Sequence, residues 1–163
     1  MTKLSELLRS GTFVTTAEVR PPRGVNLNPL FEKVMDLEGV LDGFVVTDTP
    51  PAQAFMSPIA VAHMLIDRRY ETILTFSCSN RNHTALQGDL LAAYALGVRN
   101  IVCVTGDHLE TGHHSSRLQN LDFDSISLLE DISLLSSGKD LTGEHLTENP
   151  QFLPGAVFNP LLL

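Results

Sequence analysis

The sequence contains no tryptophan, only two cysteines and few basic residues. Eleven Lys and Arg stand against 19 Asp and Glu, which gives a net charge of −8. Nucleic acids and anionic membrane surfaces are bound by basic patches, so this balance argues against both as partners. A small anionic ligand is not excluded, because a few local cations or helix N-termini are enough to hold one.

Long apolar runs and nucleotide-binding fingerprints are also missing. No run is long enough to cross a bilayer, and residues 1–11 lack the apolar stretch of a signal peptide, so we expect a cytoplasmic protein. Cys78 and Cys103 lie in separate apolar runs without a C-x-x-C spacing, which predicts two reduced, buried thiols. Neither a G-x-G-x-x-G fingerprint nor a P-loop lysine is present.

Three histidines, His108, His113 and His114, occur close together in a polar stretch after the fourth predicted strand. Glu110 is near them, but no acidic or cysteine residue stands at a spacing familiar from metal sites. We therefore predict a solvated loop here and no metal site.

Hydrophobic periodicity alternates regularly between strand and helix along the chain. Asn28 and Ser57 are predicted N-caps, each followed by a proline suited to the first helical turn. Predicted helices cover residues 3–9, 29–40, 57–69, 83–97 and 125–136, and predicted strands cover 13–19, 43–48, 71–78, 99–107 and 152–160.

This strict alternation predicts an α/β protein with a parallel sheet, in a single domain covering residues 1–163. Five strands suit an open doubly wound sheet, but a (β/α)8 TIM barrel also alternates in this way. Polar side chains follow every strand. In a barrel all those ends converge on one rim, whereas an open sheet would need such residues mainly beside its switch point. We predict an incomplete barrel with a rim formed by Glu18, Arg20, Thr47, Asp48, Ser77, Cys78, Asn80, Arg81, Thr105, Gly106, Asp107, His108 and Asn159.

The rim residues belong to motifs that occur in the order AEVRPPRG, VTDTPPAQAFMS, CSNRNHTALQGDLLAAYALGVRNIVCVTGDH, LDFDSISLL and GAVFNP. In these motifs the chain resembles the methylenetetrahydrofolate reductases, in particular the bacterial branch with C-R-D-R-N at the third strand. The resemblance runs from about residue 4 to residue 160. It implies a flavin-bearing (β/α)8 barrel that reduces 5,10-methylenetetrahydrofolate to its 5-methyl form by hydride transfer from reduced FAD.

The resemblance implies a catalytic role for Glu18, which aligns with the family's catalytic glutamate. That residue is a general acid, which protonates N10 so that the five-membered ring opens to an electrophilic iminium. An apolar, partly desolvated site would keep such an acid protonated near neutrality. The alternative is a strand-end carboxylate paired with Arg20 or Arg81.

Other residues match the family's flavin site. Asp107 matches an aspartate beside the flavin ring, and the resemblance implies a catalytic role for it: its charge would tune the cofactor and favour a cationic folate intermediate, although it could instead cap a helix. Thr47 matches a threonine that hydrogen-bonds the flavin, or serves in the strand ladder. Arg81 would suit the pyrophosphate, and Phe158 matches an aromatic contact or belongs to the barrel core. The remaining expected FAD contacts are Asp48, Cys78, Asn82, Thr105, Gly106 and His108.

The chain also departs from the family. Ser79 and Asn80 replace an Arg-Asp pair, Phe55 replaces an arginine, and Thr105 stands where other branches carry an arginine. Family members are almost twice as long, so we expect a truncated gene product, a domain fragment or the ordered part of a longer polypeptide. The alternative is a barrel that a partner chain completes. The pterin-binding groups would lie in the missing part.

Two functions therefore remain open. One is the reductase, with a tetrahydrofolate substrate and either reduced nicotinamide or a ferredoxin-linked system as electron donor, in methionine biosynthesis. The other is a non-catalytic barrel fragment or accessory subunit of a one-carbon enzyme, as a homo-oligomer or with a partner subunit.

Overall fold

The computed structural model describes residues 2–48, 54–78, 81–106 and 124–158. Helices and strands alternate through these ranges, and none of the helices within them is long and apolar enough to span a membrane. The elements are α1 Lys3–Arg9, β1 Thr16–Val19, α2 Asn28–Asp36, β2 Gly43–Val46, α3 Pro58–Asp67, β3 Thr72–Ser77, α4 His83–Ala95, β4 Asn100–Val104, α5 Ser125–Ser136 and β5 Leu153–Ala156.

The five strands form one parallel sheet in the order β1-β2-β3-β4-β5. Each strand therefore lies beside its predecessor, and the direction of winding never reverses. A doubly wound sheet reverses at its switch point, whereas a barrel continues in one direction. The predicted α/β fold is confirmed, and the strand order is that of a barrel with five strands present.

The two faces of the sheet differ in burial. One face packs against the helices, with Leu74 and Phe76 of β3 completely buried together with Leu65 of α3 and Leu90 of α4. The opposite face, which we name the inner face, carries the half-buried side chains of Val45, Thr75, Val102 and Val104, whereas Ile73 and Ser77 of β3 on the same face are buried. Because side chains alternate along a strand, residues paired across the ladders share a face, and this face corresponds to a barrel interior.

The boundaries of several elements differ from the predictions. Strand β1 begins at Thr16, the first residue that pairs with β2, and Phe13 is outside it with 87% of its surface exposed. Ser57 is the N-cap of α3, as predicted, but its side chain makes no capping hydrogen bond. The prediction for Asn28 is wrong: Leu27 is the N-cap of α2, and the Asn28 amide instead donates to Asn26 Oδ1.

The amino end of the sheet is closed by α1 through a polar network around buried Asn100. Asn100 Nδ2 donates to Glu71 Oε1 (2.9 Å) and to the Thr72 carbonyl (3.0 Å), and its Oδ1 accepts from Thr2 Oγ1 (2.8 Å). The same Glu71 oxygen accepts from the Leu4 amide at 3.1 Å. These bonds hold α1 across the amino ends of β3 and β4, so the carboxyl ends form the open rim.

Candidate functional site

Glu18 lies on β1 opposite Val45, with its neighbours Ala17 and Val19 packed toward the helices, so its position belongs to the inner face. The side chain is exposed, and within the described residues it makes no hydrogen bond or ion pair. The alternative pairing with Arg20 or Arg81 is therefore not seen. The expected desolvation of Glu18 is not seen either, because β1 is an edge strand and no described element packs over it.

Basic residues lie near Glu18. A cavity of about 450 Å³ between β1 and α2 is lined by Glu18, Arg20 and Lys33, with apolar walls that include Leu30 and Phe44. The lining of this cavity by Ala17, Val19 and α2 places it at the helix-facing side of β1, at the edge of the sheet.

Thr47 directly follows β2 at the rim. Its amide donates to the Val19 carbonyl at 3.1 Å, while its hydroxyl is 3.5 Å from the same oxygen, the limit for a hydrogen bond. The backbone thus extends the ladder between β1 and β2, and the half-buried hydroxyl is only weakly engaged.

Asp48 and Arg81 are brought together with Asp89 of α4. Arg81 Nη1 lies 2.6 Å from Asp48 Oδ2, and Arg81 Nε lies 3.0 Å from Asp89 Oδ2. The Arg81 guanidinium stacks over the Phe76 ring, 4.8 Å from its centroid. Burial alone would lower the pKa of Arg81, but the hydrogen bonds and charges of Asp48 and Asp89 outweigh it and raise that pKa. We name Asp48, Arg81 and Asp89 the rim cluster.

Sequence reasoning missed Asp89. The residue lies inside a helix, away from the strand-end motifs, and only the fold brings it to Arg81. A weak signal was present, since Asp89 is the sole acidic residue of α4.

Three further predicted contacts have partners within the chain. Cys78 is buried, its Sγ donates to the Asp124 carbonyl (3.2 Å), and burial raises its pKa to about 12. Asn82 is the N-cap of α4 and accepts from the Ala85 amide at 2.8 Å. Thr105 Oγ1 accepts from the Ser125 amide at 3.2 Å. Cys78 and Thr105 therefore join the ends of β3 and β4 to the start of α5, whereas Asn82 caps the helix that it precedes.

The remaining predicted site residues lie at the ends of β4 and β5. Gly106 has φ +92°, in the left-handed region that favours glycine. Phe158 is 73% exposed, so among the described residues it is not packed in the core. Asp107 and His108 lie outside the described residues.

A model of the methylenetetrahydrofolate reductase family matches residues 3–139 of this chain. The chain belongs to this family. The match extends from α1 through α5 and includes Glu18, Thr47 and the rim cluster. No curated protein matches the chain. Membership supports a methylenetetrahydrofolate reductase-type function in general, and the sheet supplies five strands of the family's TIM barrel.

The rim of this reductase-family chain is better suited to the ring of a flavin than to its pyrophosphate. Thr47 offers a weakly engaged hydroxyl, and Val102 and Val104 are half-buried on the adjoining inner face, a combination that suits a planar, largely apolar ring. Arg81, in contrast, is already held by two carboxylates. Within the described ranges no group of three or more His, Cys, Asp or Glu could hold a metal ion, and the three clustered histidines lie outside those ranges.

Asp131 of α5 is a buried carboxyl group without full hydrogen bonding. Its side chain is 6% exposed, its Oδ2 has no hydrogen-bond partner among the described residues, and His83 Nδ1 is 4.0 Å away. Burial raises its pKa above the ordinary 3.8, the charge of His83 acts in the opposite direction, and Glu130 adds to the rise. The native state therefore holds the Asp131 proton more tightly than the unfolded chain does.

Replacing Asp131 by asparagine should therefore stabilise the protein at pH 7, by about 1 kcal/mol, because an ionised group no longer has to be buried. The gain in stability should shrink as the pH falls through the raised pKa of Asp131 in the native state. It should disappear below pH 3.8, the ordinary pKa, where both the native and the unfolded states are protonated. Urea unfolding across this pH range measures it, with exposed Asp36→Asn as the control. A variant no more stable than wild type at pH 7 would contradict the prediction.

Proposed function

We propose that this chain takes part in the flavin-dependent reduction of 5,10-methylenetetrahydrofolate to 5-methyltetrahydrofolate, with Glu18 as the general acid on N10. The observation that carries the proposal is the position of Glu18 in a chain of this family. It is a carboxyl group on the inner face, exposed and without a partner among the described residues. A carboxylate that stabilised the fold would be paired, as Asp48 is with Arg81.

Glu18 would act by moving one proton. It donates the proton to N10 of the folate, the bond between N10 and the methylene carbon breaks, and N5 keeps that carbon as an iminium cation. The resulting Glu18 carboxylate then lies near a positive charge and stabilises it electrostatically. When bound, reduced FAD supplies the hydride that converts this carbon to a methyl group.

The chain's own residues would hold and orient the cofactor. Thr47 is proposed to hydrogen-bond the flavin ring, with Gly106, Asp107 and His108 forming the adjacent edge of the site. Phe158 would contribute an aromatic contact. Asp48, Cys78, Asn82 and Thr105 would support these residues from the rim, in keeping with the internal contacts that each one makes.

A second candidate, a non-catalytic barrel fragment or accessory subunit, is favoured by a different observation. Val45, Thr75, Val102 and Val104 of the inner face are only half-buried and Glu18 is exposed, so the described residues alone do not exclude water from the reacting centre.

Flavin binding separates the two candidates. The purified chain is incubated with FAD and desalted, and its visible absorption spectrum is recorded. We expect a retained flavin band that weakens in Thr47→Val, which lacks the ring-binding hydroxyl. The band should be unchanged in Thr16→Val, at the amino end of β1. A colourless wild-type protein would overturn the proposal that this chain is a reductase and leave the second candidate.

A further inference from the structure

We propose that Asp89 is a positioning residue of the rim, which holds Arg81 against Asp48 and so fixes the carboxyl ends of β2 and β3. In this arrangement Arg81 is a clamp between elements and not a ligand of the cofactor's pyrophosphate. The inference rests on the proposed function only in treating this rim as the place where a flavin binds.

The hydrogen bonds of Arg81 are the first support. Nε donates to Asp89 (3.0 Å), Nη1 donates to Asp48 Oδ2 (2.6 Å) and to the Ser77 carbonyl (3.0 Å), and Nη2 lies 3.4 Å from Asp48 Oδ1. A guanidinium group has five N–H donors in a fixed planar fork. Four of them are directed at acceptors of this chain, which leaves at most one for any other group.

The charge of the rim cluster is the second support. Two carboxylates surround one guanidinium, so the cluster has a formal net charge of −1. A pyrophosphate brought to Arg81 would meet this negative charge. To bind the pyrophosphate fully, Arg81 would have to leave Asp48, whose side chain is only 7% exposed, and that buried carboxylate would lose its ion pair with the guanidinium group.

The connections of the cluster show what the clamp positions. Asp48 also accepts from the Ser77 amide at 2.9 Å, so it joins the end of β2 to the end of β3. Thr47, the proposed flavin contact, is the residue just before Asp48. Asp89 adds α4 to the assembly, and the Phe76 ring supports the guanidinium on one side. Asp89 therefore acts on Thr47 through Arg81 and Asp48.

Asp89 is a suitable residue for a test because its side chain is 42% exposed, so its replacement opens no cavity in the core. A double-mutant cycle of Asp89→Asn and Arg81→Gln, measured by urea unfolding without flavin, should show a coupling of at least about three-fold in the unfolding equilibrium constant. Additive effects of the two variants would overturn the clamp.

Amide exchange measures the positioning directly. In Asp89→Asn, the Ser77 amide should exchange about ten-fold faster than in wild type, while the amide of Ile73 on the same strand should change only by the global loss of stability. Asp89→Glu should restore part of the protection, and Asp36→Asn on α2 serves as the control. An unchanged Ser77 amide would overturn the positioning role.

Flavin affinity decides the part of the proposal that concerns Arg81. If Arg81 is a clamp, Arg81→Gln should raise the dissociation constants of FAD and riboflavin by the same factor, because riboflavin shares the ring but lacks the pyrophosphate. A loss confined to FAD would identify a pyrophosphate ligand and overturn the proposal. If wild type binds neither flavin, the proposed function fails, and the unfolding cycle and the Ser77 exchange still decide whether the clamp exists.

Discussion

Replacing Glu18 by glutamine is expected to lower kcat/KM for methylenetetrahydrofolate reduction by at least about 100-fold, without loss of bound flavin. Glutamine keeps the shape of the side chain but has no acidic proton for N10, so the ring of the folate opens much more slowly. The fold should not change, because Glu18 is exposed and makes no ion pair within the described residues. Its free energy of unfolding should stay within about 0.5 kcal/mol of wild type.

Stopped-flow absorbance of the reduced flavin, mixed with the folate, measures the affected step directly. Glu32→Gln is the matched control, since Glu32 is an exposed glutamate of α2 that lies away from the inner face. A Glu18→Gln protein that reoxidises its flavin with folate at the wild-type rate would show that another group protonates N10.

Replacing Phe76 by alanine should destabilise the protein by about 3–5 kcal/mol. Phe76 is completely buried in β3, the central strand of the sheet, where its backbone pairs with that of Cys103. Alanine would leave a cavity between the sheet and the helices and would remove the ring that supports Arg81. The loss is a large part of the stability of an average domain, so urea unfolding should show a much lower midpoint.

Two other variants make the interpretation specific. Phe13→Ala should change the free energy of unfolding by less than about 0.5 kcal/mol, because that ring is 87% exposed. Phe76→Leu should keep most of the stability that Phe76→Ala loses, since leucine fills much of the volume of the ring. It does not restore the stacking beneath Arg81. Equal effects of Phe13→Ala and Phe76→Ala would contradict the burial of Phe76.

Much of the fold follows from local sequence patterns. The periodicity of α1 and α5 predicted both helices with their observed bounds, residues 3–9 and 125–136. The strands are shorter than predicted because their ends depend on pairing partners. Strand β1, for example, starts where Thr16 pairs with Gly43, a long-range contact that the run of apolar residues before it does not reveal.

The candidate site was predictable only in part. Motifs placed the rim residues at strand ends, but the burial of Glu18 depends on what packs over β1, and the local sequence does not contain that information. The alternation along β1 does indicate which face Glu18 occupies, since Thr16 and Glu18 are polar while Ala17 and Val19 are apolar. The Asp89–Arg81 contact needs α4 to return against the end of β3, which only the folded chain shows.

The network around Asn100 has a consequence for how this protein can evolve. Its hydrogen bonds hold α1 to the amino ends of the strands, at the opposite end of the sheet from Glu18 and Thr47. Substitutions of those two side chains therefore leave the anchoring of α1 intact. A lineage could therefore alter or lose the proposed reaction through substitutions at the rim and still inherit the anchoring of α1 at the other end of the sheet.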